Sequence, residues 1–173
     1  HRNLCVYTAS CNFRCRHCHN WHITTQSPEG LKSMNYSPEE VVEETLRHEC
    51  LSVSHSINEP TVFYEYMYDI AKLARTKGLK NLFHTNGAMK PEPLRALLKY
   101  MDGVTVDLKA FDEKFYRKIS AAKREPVLKT LKVIKEQGVH LEIVNLIIPT
   151  LNDELGKIKE MCDWIRHNLG GNV

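Results

Sequence analysis

Residues 4–18 read Leu-Cys-Val-Tyr-Thr-Ala-Ser-Cys-Asn-Phe-Arg-Cys-Arg-His-Cys. An apolar, strand-like run from Leu4 to Ala9 passes directly into three cysteines, Cys11, Cys15 and Cys18, spaced C-x3-C-x2-C. A loop this short can wrap three thiolates around one corner of a metal–sulfur cluster. The fourth iron of a cubane is then left without a protein ligand, and an iron with an open position can bind and activate a substrate. Zinc is the rival reading, with His17, His19 or His22 as a fourth ligand. Structural zinc sites usually pair two close ligands with two distant ones, so three cysteines between residues 11 and 18 fit a cluster better.

Working outward, the chain alternates short apolar runs with helical patterns. The runs are Leu4–Ala9, Cys50–Ile57, Leu79–Thr85, Gly103–Lys109 and Val139–Ile148. Ser37-Pro38-Glu39-Glu40 is a capping box with proline at the first helical position, followed by Val41, Val42, Thr45 and Leu46 on one face. The spacing of Val62, Phe63, Tyr66, Ile70, Leu73 and Ala74 predicts a helix over 61–77, ended by Gly78 as a left-handed cap. Further helices are expected from about Pro91, over 125–137 before Gly138, and over 153–169. Five strand–helix repeats mean a parallel sheet with right-handed crossovers, either doubly wound or a barrel. No G-x-G-x-x-G follows the first strand, which argues against a dinucleotide fold. The expectation is an α/β chain: a partial (β/α)6 TIM-like barrel, open, truncated before the sixth strand. Residues 1–173 are read as a single core domain. The start at His1 and the stop at Gly170-Gly171-Asn172-Val173, where a sixth strand should begin, lead us to expect further N- and C-terminal parts.

Composition narrows the function classes. Hydrophobic content of 42% and charged content of 26% are those of a soluble globular protein. A net charge of +3, with Lys and Arg scattered over helix faces, argues against nucleic acid or a membrane surface as partner. No apolar stretch approaches the roughly 20 residues of a membrane span, and no signal peptide is visible. Six cysteines without regular disulfide spacing fit a reducing, cytoplasmic setting. Cys5, Cys50 and Cys162 read as buried thiols acting as small hydrophobes, Cys162 on the apolar face of the last helix with Ile158, Met161 and Ile165.

In parallel β/α folds chemistry collects at the C-terminal ends of the strands. Here those ends are polar: the cysteine loop, Asn58-Glu59-Pro60-Thr61, Thr85-Asn86-Gly87, Asp107-Leu108-Lys109, and Ile148-Pro149 with Asn152-Asp153. Asp107 and Lys109 share a strand face with Thr105, while Val104, Val106 and Leu108 take the helix-facing side. A lysine and an aspartate inside a barrel are costly unless paired with each other or with a charged ligand. Ser52, Ser54, Ser56 and Asn58 share a face and would leave room for a ligand. Gly87 reads as a turn that lets backbone approach one. His17 is expected to lie beside a ligand, and His19 and His22 either to support the site or to be solvated.

With these residues in view, the chain resembles the radical S-adenosylmethionine (SAM) superfamily, whose signature is C-x3-C-x-Φ-C with Φ usually aromatic; here it is Cys-Asn-Phe-Arg-Cys-Arg-His-Cys. More narrowly it resembles the AmmeMemoRadiSam system radical SAM enzymes, themselves similar to pyruvate formate-lyase activating enzymes. The support is CNFRCRHCHNW, SINEPTVFYEY, GLKNLFHTNG, VDLKAFDEKFYRKI, EPVLKTLKVIKEQGV and IIPTLND. The resemblance implies that Cys11, Cys15 and Cys18 hold a [4Fe–4S] cluster, with SAM on the open iron. It implies that His17 lies near the adenine and Asn58-Glu59-Pro60 near the amino group. Thr85, Asn86, Asp107 and Lys109 would lie on the methionine and ribose side, with Ile148 against adenine. The implied reaction is reductive cleavage of SAM to a 5′-deoxyadenosyl radical that abstracts hydrogen from an unknown substrate. A flavodoxin or ferredoxin as reductant and a protein or peptide as substrate are implied with it. Two residues depart from the pattern: Asn58 stands for a glycine, and His84 for the aspartate of glycyl-radical activators. The alternative is a non-enzymatic metal or iron–sulfur electron-transfer module, which would not need the polar strand ends.

Overall fold

Val53, Phe83, Val104, Val106 and Leu141 are all buried and alternate with polar or glycine residues, Leu82 excepted, along their strands. Period-two alternation turns one face of each strand toward a helical layer. The computed structural model describes all 173 residues. Its sheet comprises β1 (Asn3–Val6), β2 (Ser52–His55), β3 (Lys80–Thr85), β4 (Gly103–Asp107) and β5 (His140–Val144), all parallel, in spatial order 1-2-3-4-5. A doubly wound sheet reverses its order at a switch point. Here every crossover steps the same way, as in a barrel. β1 and β5 are not paired, so the arc is open.

The helices follow their local signals. α1 (Pro38–Arg47) begins with the capping box: Glu40 N donates to Ser37 Oγ at 3.2 Å and Ser37 N to Glu40 Oε2 at 2.7 Å. Val41, Val42 and Thr45 are buried, but Leu46 is exposed, so the buried face is narrower than expected. α2 (Tyr64–Thr76) starts later than its periodicity predicts. Residues Pro60–Phe63 form a 3₁₀ turn capped by Glu59, whose side chain accepts from Thr61 N, and Val62 is left facing solvent. Gly78 and Gly138 end α2 and α4 (Arg124–Glu136) with φ of 75° and 69°, as the left-handed caps require. α3 (Pro91–Leu98) and α5 (Leu155–Leu169) complete the layer. No helix is long and apolar enough to cross a membrane.

Three expectations change. Cys5 is exposed, because Leu4 and Val6 take the helix-facing side of β1 and Cys5 the open inner side. Cys162 is exposed as well, since Met161 beside it is the residue that turns inward; Cys50 alone of the three is buried. Between β4 and α4, where the sequence shows no helical period, Glu113–Phe115 forms one turn that widens into a π-helix over Tyr116–Ser120, ended by Ala121 at φ 51°. So short a piece carries too few residues for a periodic signal.

Candidate functional site

A cavity of about 400 Å³ opens at the C-terminal ends of the strands. Cys11, Cys15, His17 and Cys18 line one side. Asn58 and Glu59, then Thr85 and Asn86, then Asp107 and Lys109 line the rest. Every expected site residue except Ile148 is there.

The cysteine loop is held largely by groups from elsewhere in the chain. Asn58 is 6% exposed and its amide is committed to the approach to the loop. Its Nδ2 donates to the carbonyls of Ala9 (3.0 Å) and Ser10 (3.1 Å), and its Oδ1 accepts from Thr8 N at 3.0 Å. The side chain that stands for a glycine therefore braces backbone rather than filling the cavity. Ser10 takes φ 71° at the bend. Farther along, Arg14 N donates to Ser120 O at 3.1 Å and Arg16 N to Ile119 O at 2.8 Å, so the π-helix clasps the loop on both sides of Cys15. Phe13, nearly buried, meets the Tyr116 ring edge to face at 6.4 Å. Asn86 Nδ2 donates to Asn12 Oδ1 at 2.6 Å and lies 3.7 Å from Cys11 Sγ.

The thiols suit a cluster. Burial pushes Cys11 and Cys15 up; the Phe13 N–H, 3.3 Å from Cys11 Sγ, and the Lys109 ammonium beside Cys15 work in the opposite direction. Bound iron supplies the rest of the charge that makes such thiols thiolates. No trio of His, Cys, Asp or Glu side chains converges closely enough for a single ion. His17 packs its ring 5.8 Å from Phe115, with Nδ1 buried and unpartnered. Burial, then Lys109, holds it below the ordinary histidine range, neutral at pH 7.

Glu59 ties the ends of β2 and β3 together. Its Oε1 accepts from Thr61 N (3.0 Å), Thr61 Oγ1 (2.6 Å) and Thr85 Oγ1 (2.7 Å), and its Oε2 from Asn86 N (2.7 Å). Across the cavity, Asp107 lies between Lys109 and His84: Lys109 Nζ donates to Oδ2 and His84 Nε2 lies against Oδ1, each at 2.9 Å. Burial raises the Asp107 carboxyl, but the His84 hydrogen bond and the Lys109 charge bring it below the usual range overall. The hydrogen bond to Asp107 raises His84. Tyr116 Oη accepts from Lys109 N at 3.1 Å and so links this wall to the π-helix.

Other expectations are redirected. A Cβ on Gly87, at φ 78°, would meet Val127 Cγ1 at 2.9 Å and Val106 Cγ1 at 3.0 Å, so close packing against β4 and α4 also requires a glycine here. Ile148 N donates to Asn152 Oδ1 at 2.6 Å, and Asn152 Nδ2 to Lys109 O at 2.8 Å; that turn fastens β5 to β4, and Val144 and Leu146 line the cavity in place of Ile148. Ser52 and Ser54 pair with Asn3, leaving only Ser56 of the serines on the cavity. His19 lines the rim, and His22 sits outside against Trp21. The clasp by Ile119 and Ser120 was missed. Its only sequence trace is Tyr116 after Asp107-Leu108-Lys109, which no local pattern marks as a support.

Known proteins agree with this geometry. Residues 5–165 match the radical SAM superfamily. An uncharacterized protein of Methanocaldococcus jannaschii is 41% identical over 160 residues, covering 92% of this chain and 47% of that protein. A pyruvate formate-lyase-activating enzyme of Clostridium pasteurianum is 27% identical over 168 residues, 94% of this chain and 68% of the enzyme. In fold, the chain is similar to Streptococcus suis SuiB solved with S-adenosylmethionine, with a TM-score of 0.75 at 19% identity over 96% of this chain and 38% of that one. The chain thus spans about half the length of its Methanocaldococcus relative. Enzymes of the matched family use a [4Fe–4S] cluster and SAM. Cysteine loop, one-way parallel sheet and sequence match agree: this chain belongs to the radical SAM superfamily.

Proposed function

We propose that residues 1–173 form a single radical SAM core domain whose cavity holds a [4Fe–4S] cluster on Cys11, Cys15 and Cys18 with SAM beside it. When bound, the pair supplies one-electron cleavage of SAM to a 5′-deoxyadenosyl radical and hydrogen abstraction from a substrate. The single observation that carries the reading is the facing of three thiols, on one wall, by the Lys109–Asp107–His84 ion chain on another. An electron carrier needs no such chain; a zwitterionic ligand does. In this reading Lys109 holds the SAM carboxylate and Asp107 accepts from a ribose hydroxyl, each giving up part of its present pairing. Asn58 and Glu59 keep the backbone beside the amino group in place, Thr85 and Asn86 set the floor, and neutral His17 lies against the adenine. A protein or peptide substrate and a small acidic reductant such as flavodoxin or ferredoxin are supported by the likeness to activating enzymes.

The test is an EPR spectrum of anaerobically reconstituted, reduced protein with and without SAM. A [4Fe–4S]⁺ signal that changes on adding SAM is expected. A signal indifferent to SAM would make the protein an electron carrier, and zinc without a cluster would overturn the reading altogether.

A further inference from the structure

Read along the chain, the cationic residues look scattered; in the fold two groups of them meet. Residues 1–28 contain no aspartate or glutamate, and Arg14 and Arg16 flank Cys15. Glu113–Arg124 carries five Lys and Arg against one Glu, in a chain whose whole net charge is +3. The two backbone hydrogen bonds Arg14 N–Ser120 O and Arg16 N–Ile119 O lay these segments side by side.

Some of these cations are already committed. The Arg14 guanidinium is turned onto the carbonyls of Cys11 and Phe13. Arg117 pairs with Glu113 at 3.3 Å, and Arg124 lies 4.5 Å over the Phe111 ring. Arg16, Lys114, Lys118 and Lys123 remain exposed with no carboxylate ion pair, and of these Lys114 adjoins Asp112 and Glu113 in the chain. Arg16 follows Cys15 in sequence, and Lys118 and Lys123 flank Ile119 and Ser120 of the clasp; none of the three lines the cavity.

We propose that Arg16, Lys118 and Lys123 form the docking surface for an acidic one-electron carrier protein, which delivers its electron through the Cys15 side of the cluster site. Unpaired cations of one sign steer an oppositely charged partner and raise its on-rate, an effect that salt screens. A carrier seated there rests over a cluster ligand without blocking the cavity. The exchange balances simply: the carrier is oxidised by one electron, the oxidised cluster is reduced by one, and no bond forms or breaks. Nucleic acid fits less well. The neighbouring aromatic rings, Phe115 and Tyr116, are buried and offer no base-stacking surface.

The proposal rests on the cluster reading, and its test separates the two. Protein with a reconstituted cluster is mixed with reduced flavodoxin or with photoreduced deazaflavin, a small neutral reductant. Flavodoxin affinity is measured by calorimetry. The combined Arg16→Glu, Lys118→Glu and Lys123→Glu variant is expected to slow cluster reduction by flavodoxin on the order of 10- to 100-fold at low salt and to weaken its binding. Iron content and the deazaflavin rate should not change, and added salt should slow the wild type toward the variant. Should charge reversal cost iron, the corresponding triple Gln variant carries the same test with a smaller expected loss. An unchanged flavodoxin rate, an equal loss with deazaflavin, or tighter binding of mixed-sequence duplex DNA than of flavodoxin overturns the docking surface. Wild-type protein that assembles no cluster overturns the site reading instead.

Discussion

Glu59 and Asp107 both stand at strand ends on the same cavity, but their surroundings differ. Glu59 is 3% exposed, and four hydrogen bonds from neutral donors satisfy its carboxylate. The Asp107 side chain is 29% exposed, and the Lys109 ammonium and the His84 ring hold it. Neutral donors fixed in backbone and short side chains cannot be exchanged for a ligand without breaking the fold. A lysine on a flexible stem can exchange its partner at little cost. The β2–β3 wall is therefore the more fixed of the two, and the β4 wall carries the charged pair that the proposed ligand site would use. Asn86 joins the two roles, since its N–H is bound by Glu59 and its amide reaches Asn12 and Cys11.

Four measurements can break or sharpen that contrast. The largest effect is expected at Glu59→Ala, which strands the donors of Thr85 and Asn86 in a buried site and should cost about 4 kcal/mol in denaturant unfolding. Glu59→Gln keeps one acceptor oxygen and should cost about half as much. If both variants unfold like the wild type, Glu59 is no scaffold.

His55, on the helix-facing side of β2, should make the protein acid-sensitive. It is fully buried with both nitrogens unpartnered, and burial pushes it down to about 3 from 6.5. The unfolded chain takes up its proton near pH 6.5 while the fold does not. Stability is therefore complete above 6.5 and falls as the pH drops toward 3, by about 3 kcal/mol at pH 4. His55→Leu should flatten the acid limb of the stability profile by that amount.

On the β4 wall the order of effects inverts. Lys109→Met keeps the aliphatic stem and leaves Asp107 paired with His84, so the melting temperature should barely move. SAM affinity, read by calorimetry on cluster-loaded protein, should fall about tenfold, or about 1.4 kcal/mol. The smallest effect is expected at Ser120→Ala. Ser120's hydroxyl is fully buried, has no competing partner, and lies close enough to Cys15 to turn its hydrogen onto the thiolate. Its loss should leave iron content intact and move the cluster midpoint potential to a more negative value, because a hydrogen bond to a ligating sulfur stabilises the reduced state. A potential that stays put would show the hydroxyl to be packing alone.

How much was legible follows from the range of each interaction. Ser37 and Glu40, the glycines at 78 and 138, and the alternation in β4 are neighbour effects within a few residues, and the structure reproduces them. The cysteine spacing is local too, and so pointed to the cluster reading without any coordinates. Leu46, Val62, Cys5 and Cys162 were misplaced because periodicity marks a face but not how far a neighbouring element covers it.

The sequence by itself determined the alternation of strands and helices and the identity of the strand-end residues, because each is written in spacings of two to about four residues; the superfamily came from likeness over residues 5–165. Only the tertiary structure decided what those residues do to one another. Asn58 bracing a loop 48 residues before it, Ser120 meeting Arg14, His84 reaching Asp107, and Gly87 closing onto Val127 are all pairings across crossovers. The register of parallel strands sets them, and no local pattern in the chain encodes that register.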